Sequence, residues 1–219
     1  MSQMTNPRIS ILGDGISTFA GCTPMVGSFY SSRYVSYSGF GTMEGTWWMQ
    51  TIEQLGGSFL RNNSFTGAYV SYVGHYPSLL PGRIRDLATA DASPDIILIY
   101  TGINDAVNEV PLETFRRDYT EMLQRVRTIH PNAQVWAGTL CLGQAPAIAG
   151  RPYYIEPERF QSLKDYNQVI RDCVESSDCH LADLAAAGVT YETVDGIHPD
   201  KTGMTTFANG WAKLLQSHI

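Results

Sequence analysis

An alternation of β-strand and α-helix patterns runs along this chain of 219 residues and restricts its fold more than any other feature. Residues 95–100 (DIILIY) form a nearly continuous apolar run, which is typical of a strand buried on both faces of a parallel sheet. Between Pro111 and Pro131, apolar residues recur at spacings of three and four, which predicts an amphipathic helix. We therefore predict an α/β fold, a single domain over residues 1–219 with a central parallel sheet in a three-layer α/β/α arrangement.

The other segments of the chain fit the same alternation, apart from two loops. The further predicted elements are strands over residues 9–12 and 133–140 and helices over residues 157–175 and 201–216. Residues 21–48 are rich in Gly, Ser and Tyr, and residues 141–157 are rich in Gly, Pro and Ala. Because long loops on a compact α/β core usually carry function, we expect these two segments to form a binding surface.

The charge and the apolar runs exclude several classes of partner. A formal net charge of −6 has the wrong sign for binding nucleic acid or an anionic membrane surface. No stretch approaches the ~20 apolar residues that span a bilayer, and the first residues lack the blocks of a signal peptide. We therefore expect a cytoplasmic protein with a small-molecule partner; the sequence leaves open whether it forms a homo-oligomer.

The cysteines indicate neither a metal site nor a redox motif. Cys22, Cys141, Cys173 and Cys179 are scattered, with no Cys-x-x-Cys pair. We expect reduced and mostly buried thiols, although Cys173 and Cys179 could pair in an oxidising compartment. No cofactor is predicted.

Four short polar blocks fall at the carboxyl ends of predicted strands or in the turns beyond them. They are Gly13–Ser17 (GDGIS), Asn62–Gly67 (NNSFTG), Gly102–Asp105 (GIND) and Asp195–Pro199 (DGIHP). Ligands of open α/β sheets bind at this edge. The blocks are therefore the candidate site.

The order and content of these blocks resemble the SGNH hydrolases, also called the GDSL esterase and lipase family. The resemblance covers nearly the whole chain, and a closer likeness to bacterial members is carried by Thr46-Trp47-Trp48 and Asn62-Asn63-Ser64. It implies an SGNH/flavodoxin-like fold and the hydrolysis of acyl esters, such as the O-acetyl groups of a carbohydrate or other small esters.

The resemblance also implies roles for individual residues. A serine of the first block would attack the ester, His198 would be its base and Asp195 would orient His198. The backbone amides of residue 15 and Gly67 and the side chain of Asn104 would bind the oxyanion. The chain departs from the pattern at the nucleophile, because the first block has Gly15 where the family has serine. Glycine has no side chain to attack with, so the covalent route is closed at this position.

The chemistry of these residues agrees with those roles, but each also has a structural alternative. A tight turn can set the carboxylate of Asp195 against one imidazole nitrogen of His198, which leaves the other nitrogen facing a substrate. An Asp-x-x-His spacing also arises by chance. Asn104 can donate to developing negative charge, or it can cap a turn. Gly67 can supply an amide, or it can simply provide a positive φ.

Two polar residues of the first block need a separate interpretation. Asp14 is predicted to organise the strand-to-helix turn by accepting backbone hydrogen bonds, and it is also a candidate substrate contact. Ser17 lies two residues beyond the nucleophile position, so its hydroxyl is expected to point elsewhere.

Aromatic pairs lie in or beside both long loops. Trp48 and Tyr153 are candidate substrate contacts, because aromatic faces can stack on sugar rings or line an acyl pocket. For each of the pairs Trp47–Trp48 and Tyr153–Tyr154, we expect one ring to be buried in the core.

Three hypotheses of function follow from a complete acid–base pair beside a missing nucleophile. The first is an SGNH esterase inactivated by replacing the serine at position 15 with glycine by design. The second is a natural pseudoenzyme that binds an ester or glycan without turnover. In the third, His198 acts directly on water as a general base. A carboxylate pair of Asp14 and Asp195 for glycoside hydrolysis ranks low, because Asp195 is better explained as the partner of His198.

Overall fold

Five parallel strands form the central sheet of the protein. The computed structural model describes residues 5–24, 27–31, 38–141, 143–144 and 163–218. The strands of this sheet are β1 (Arg8–Gly13), β2 (Ser58–Asn62), β3 (Ile96–Tyr100), β4 (Gln134–Gly138) and β6 (His180–Ala182). They lie in the order β2-β1-β3-β4-β6, and every pairing is parallel. Two short strands, β5 (Gly143–Gln144) and β7 (Tyr191–Glu192), pair separately in parallel.

Helices flank this sheet, as the predicted α/β arrangement requires. They are α1 (Trp47–Gln54), α2 (Pro81–Arg85), α3 (Ile103–Val107), α4 (Leu112–Ile129), α5 (Leu163–Glu175) and α6 (Lys201–Leu215). Helix α1 packs against α6, and α4 packs against α5. The architecture is a flavodoxin-like α/β fold with a central parallel sheet, so the predicted fold class is confirmed.

The strongest sequence patterns correspond to the best-buried elements. All five residues of β3 are buried at the centre of the sheet, as its apolar run predicts. Helix α4 begins directly after Pro111 and buries one apolar stripe, which contains Phe115, Tyr119, Met122, Leu123 and Val126. The final helix begins at Lys201, as predicted, with Asp200 as its N-cap.

The end of the first predicted loop is different in the structure. Residues 47 and 48 begin helix α1, where the hydroxyl of Thr46 caps the helix by accepting from the amide of Met49. Both Trp47 and Trp48 are completely buried, whereas we expected one of the pair. Trp47 and Trp48 lie on the same buried face of the helix as Thr51 and Ile52 one turn later, so both rings pack into the core.

The four cysteines are free, and the Cys173–Cys179 pair is not bonded in this structure. No helix in the described part of the chain is long and apolar enough to cross a membrane.

Candidate active site

The four polar blocks meet at the carboxyl edge of the sheet. The first block follows β1, and its Gly15 opens a single 3₁₀ turn over residues 15–17. A Cβ placed on Gly15 would lie 2.7 Å from Nε2 of His198 and 3.6 Å from the Cα of Thr66. The amide Nδ2 of Asn104 donates to the carbonyl of Ala68 at 2.8 Å. Because Gly67 lies between Thr66 and Ala68, all four blocks adjoin one another.

A tight turn before α6 fixes the acid–base pair. Nδ1 of His198 lies 2.8 Å from Oδ2 of Asp195, and the amides of Ile197 and His198 donate to Oδ1 of the same carboxylate. Burial acts to raise the pKa of Asp195, but the charge of His198 and these hydrogen bonds outweigh it and hold that pKa below its ordinary value. An ionised Asp195 therefore fixes the imidazole orientation and leaves Nε2 directed at residue 15.

Two aromatic rings of the first long loop pack against the imidazole of His198. The ring of Phe29 is parallel to that of His198, with the two centroids 3.5 Å apart. Tyr30 meets the imidazole edge-on and donates its hydroxyl to the carbonyl of Pro199 at 2.8 Å. The loop is tied back to the first block, because Thr18 Oγ1 accepts from the Phe29 amide and donates to the carbonyl of Gly15.

The adjoining blocks contain three hydrogen-bond donors that the resemblance assigns to an oxyanion. In the turn from Phe65 to Ala68, Gly67 has a φ of +73°, which favours glycine. Within the described residues, the amides of Gly15 and Gly67 donate to no protein acceptor. The side-chain amide of Asn104 carries two hydrogens, of which one is used by Ala68 and the other remains to donate. The arrangement can therefore stabilise a developing oxyanion.

Comparison with known proteins agrees with this geometry. The model of the GDSL-like lipase/acylhydrolase family matches residues 11–205. The chain belongs to that family. No curated protein sequence gives a significant match.

Solved structures of esterases and lipases share this fold. A Bacteroides uniformis ATCC 8492 protein classed as a GDSL-like lipase is 22% identical, with a TM-score of 0.70 over 97% of this chain and 95% of its own. The aryl esterase of M. smegmatis is 16% identical, with a TM-score of 0.68 over 97% and 100%. A Talaromyces cellulolyticus carbohydrate esterase of family 3 is 18% identical, with a TM-score of 0.61 over 98% of both chains. At these identities the likeness establishes the fold.

A buried carboxylate of the third block, Asp105, joins two segments of the GDSL-like site. Asp105 is fully buried and accepts from the amides of Val70 at 2.7 Å and Ser71 at 3.0 Å. Burial raises the pKa of Asp105, while these hydrogen bonds oppose the rise. Asp105 therefore fixes the segment after Gly67 against the segment that carries Asn104.

The predicted turn-forming role of Asp14 is confirmed, but its assignment as a substrate contact is corrected. Its Oδ1 accepts from the amide of Ile16 at 3.1 Å, and the whole side chain is buried. Burial raises the pKa of Asp14 to about 7, although the Ile16 hydrogen bond and the charge of His198 oppose it.

The hydroxyl of Ser17 is also buried and lies 2.6 Å from where a Cβ on Gly13 would be, away from His198.

The two aromatic candidates for substrate binding have different outcomes. Trp48 is 0% exposed and packs against Phe59 with ring centroids 5.0 Å apart, so it is a core residue and the expected substrate contact is corrected. Tyr153 and Tyr154 lie outside the described residues.

Sequence reasoning missed two residues that shape this site, Phe29 and Arg83. Phe29 belongs to the loop that we predicted to form a binding surface, so composition pointed to the segment but not to the ring. Arg83 lies in the short helix α2, far from any polar block, and no sequence signal distinguishes it. Among the described residues, no group of three or more His, Cys, Asp or Glu side chains could hold a metal ion.

Proposed function

We propose that the chain is an ester hydrolase of the GDSL-like family in which glycine occupies the position of the nucleophile. The observation that carries this proposal is the direction of residue 15, whose Cβ would point at Nε2 of His198. A side chain at this position would have the catalytic base directly beside it.

The mechanism follows from the geometry once a serine stands at residue 15. Nε2 of His198 takes the hydroxyl proton as the oxygen attacks the ester carbonyl, and Asp195 stabilises the resulting imidazolium. The carbonyl oxygen becomes an oxyanion that the amides of residue 15 and Gly67 and the side chain of Asn104 bind. The imidazolium then protonates the leaving alcohol, and water releases the acyl group in a second step by the same route. With Gly15 the first step has no attacking oxygen, so we expect turnover to fall by several orders of magnitude.

The proposed substrate is a small-molecule acyl ester, such as an O-acetylated carbohydrate. An aryl esterase and a carbohydrate esterase are among the similar structures, which supports small esters as the class. The net charge of −6 argues against nucleic acid or an anionic membrane as a partner.

We further propose that Gly15 replaces a serine by design. His198, Asp195 and Asn104 are all present around Gly15, and the His198–Asp195 and Asn104–Ala68 hydrogen bonds are formed, whereas drift in an unused site would be expected to change these residues as well. Sequencing codon 15 of the source gene tests this origin. A serine codon supports it, and a glycine codon contradicts it.

The decisive experiment restores the nucleophile. The Gly15→Ser variant should hydrolyse aryl acetates and acetylated sugars, with a pH profile limited by the base His198. The matched control, Gly15→Ser with His198→Ala, should be nearly as inactive as the Gly15 chain, because triad residues act as a unit. A folded Gly15→Ser protein that is inert on a broad panel of esters would contradict the proposal.

A second candidate keeps slow catalysis in the Gly15 chain itself. Nε2 of His198 faces the backbone of Gly15 with no side chain between them, which would let it act on water as a general base. Triad deletions elsewhere leave rates ~10³–10⁴ above water. His198→Ala should abolish such a rate if His198 supplies it; a ligand-binding pseudoenzyme would instead bind an ester without any turnover that depends on His198.

A further inference from the structure

Arg83 is a buried arginine for which the proposed chemistry gives no role. It lies in the short helix α2 and is only 7% exposed. Its own carbonyl accepts from Nδ2 of Asn63 at 2.8 Å, which fixes the backbone from which the side chain extends. Burying a guanidinium costs free energy unless it is well hydrogen-bonded, so its partners indicate what it does.

One nitrogen of Arg83 joins the first two blocks. Nη2 donates to the carbonyl of Gly13 at 2.9 Å and to the carbonyl of Asn63 at 2.6 Å. Gly13 lies two residues before Gly15, and Asn63 lies four residues before Gly67. The two segments that present the oxyanion amides are therefore held by a single planar group.

The other terminal nitrogen reaches toward the third block. Nη1 donates to Oγ of Ser78 at 3.0 Å and to the carbonyl of Tyr76 at 2.5 Å. The Ser78 hydroxyl lies 3.1 Å from Oγ1 of Thr101, three residues before Asn104. Through Ser78, the guanidinium is linked to the segment of the third oxyanion donor.

Arg83 forms no ion pair with the described residues. Its guanidinium lies 4.8 Å from the centre of the Phe65 ring, in the second block. Burial lowers the pKa of Arg83 to about 9, partly offset by the charge of Asp14, so the group is still a cation at neutral pH. A buried cation beneath the oxyanion donors also favours negative charge in front of them.

We propose that Arg83 is a positioning residue that holds the amides of Gly15 and Gly67 and the side chain of Asn104 in the convergent arrangement an oxyanion requires. This inference rests on the proposed function. Because Arg83 acts through the loops and not on the substrate, its loss should affect the transition state more than substrate binding.

The kinetic test uses Arg83→Met in the Gly15→Ser background. We expect kcat to fall roughly 10- to 100-fold with KM changed less than about 3-fold, since misplacing reacting groups by about 1 Å can cost 10²-fold. The matched control is Arg125→Met, because Arg125 also donates to the carbonyl of Leu79 near the same loop but from α4. Arg125→Met should leave kcat unchanged.

A conservative variant separates geometry from charge. Arg83→Lys keeps the cation but loses the planar fork that bonds two carbonyls, so kcat should be intermediate between arginine and methionine. It also provides the measurement if Arg83→Met does not fold. A kcat within about 3-fold of the parent for Arg83→Met, or a kcat equal to that of the parent for Arg83→Lys, would overturn the proposal.

A binding test uses the Gly15 chain as it exists and requires no turnover. Sulfate titrated into the ¹⁵N-labelled protein should shift the amide signals of Gly15 and Gly67 together, and Arg83→Lys should weaken this response at least several-fold. Equal responses in the two proteins would overturn the role of Arg83 while leaving the oxyanion site intact. No response in the parent chain, together with an inactive Gly15→Ser variant, would overturn the proposed function and this inference with it.

Discussion

At residue 15, Nε2 of His198 lies 2.7 Å from the position that the first carbon of a serine side chain would take. The separation of 2.7 Å between Nε2 and that carbon is shorter than real contacts, so Gly15→Ser must displace the ring. Nδ1 is anchored to Asp195, and the imidazole lies parallel to the Phe29 ring. A serine at residue 15 therefore requires a different position of the imidazole.

Asp14 should make the stability of the protein depend on pH. Its pKa is raised by burial to about 7, so the folded state keeps a proton that the unfolded state releases. The contribution of Asp14 is full below about pH 4, the ordinary range of an aspartate, and is lost as the pH rises through about 7. Asp14→Asn, which keeps the oxygen that accepts from Ile16, should remove this dependence.

Urea unfolding at pH 4 and pH 8 measures the effect. Relative to the parent, the free energy of unfolding of Asp14→Asn should rise by on the order of 4 kcal/mol between the two pH values, at about 1.4 kcal/mol per pKa unit. A difference between variant and parent that is the same at both pH values would contradict the raised pKa.

At the scale of elements, the loop around Phe29 should matter for catalysis because it supports the base. In the Gly15→Ser background, we expect Phe29→Leu to lower kcat about 10-fold, since the imidazole loses its parallel ring contact and samples more orientations. Phe40→Leu is the matched control, because Phe40 packs on Phe19 and Tyr30 in the same region without stacking on His198.

Initial rates over a range of ester concentrations separate kcat from KM for both variants. Equal losses of kcat in Phe29→Leu and Phe40→Leu would mean that the loop contributes only general stability, and that the stack does not orient His198.

Sequence patterns predict the helices and strands that bury at least one whole face. Strand β3 and helix α4 belong to this group. Strand β2 was not marked by its composition, because Ser58–Asn62 lies at the sheet edge and is mostly half-exposed. Helix α1 has only eight residues, and its start follows a Gly- and Ser-rich loop whose composition masks it.

The residues of the candidate site also differ in how well the sequence predicts them. The polar blocks are predictable because a strand end and a short turn fix each one locally, as Asp195 and His198 demonstrate. Phe29 and Arg83 act across the fold, so no local pattern marks them. Arg83 bonds to Gly13, which is 70 positions away along the chain.

At the scale of the whole molecule, helices α1 and α6, far apart along the chain, meet in one aromatic cluster. The Trp47 ring in α1 stacks on Trp211 in α6 at 5.2 Å, and both contact Tyr100 at the end of β3. Gly138 in β4 leaves room for this cluster, because a Cβ there would lie 2.6 Å from the Trp211 ring. Segments more than 160 positions apart therefore share one core.

Such interdependence predicts one cooperative unfolding transition for residues 1–219. Removing α6 from the sheet would expose Trp211 and the β3 face together, so no large part of the core can unfold alone.

Tryptophan fluorescence reports on the buried indoles, and far-UV circular dichroism reports on all helices and strands. The two urea transitions should share one midpoint and one slope. Gly138→Ala, which forces the Trp211 ring to move, should shift both midpoints downward by the same amount, typically by the ~1–3 kcal/mol of an overpacked core. A fluorescence transition that separates from the dichroism transition in the parent chain would instead divide the protein into independently folding parts.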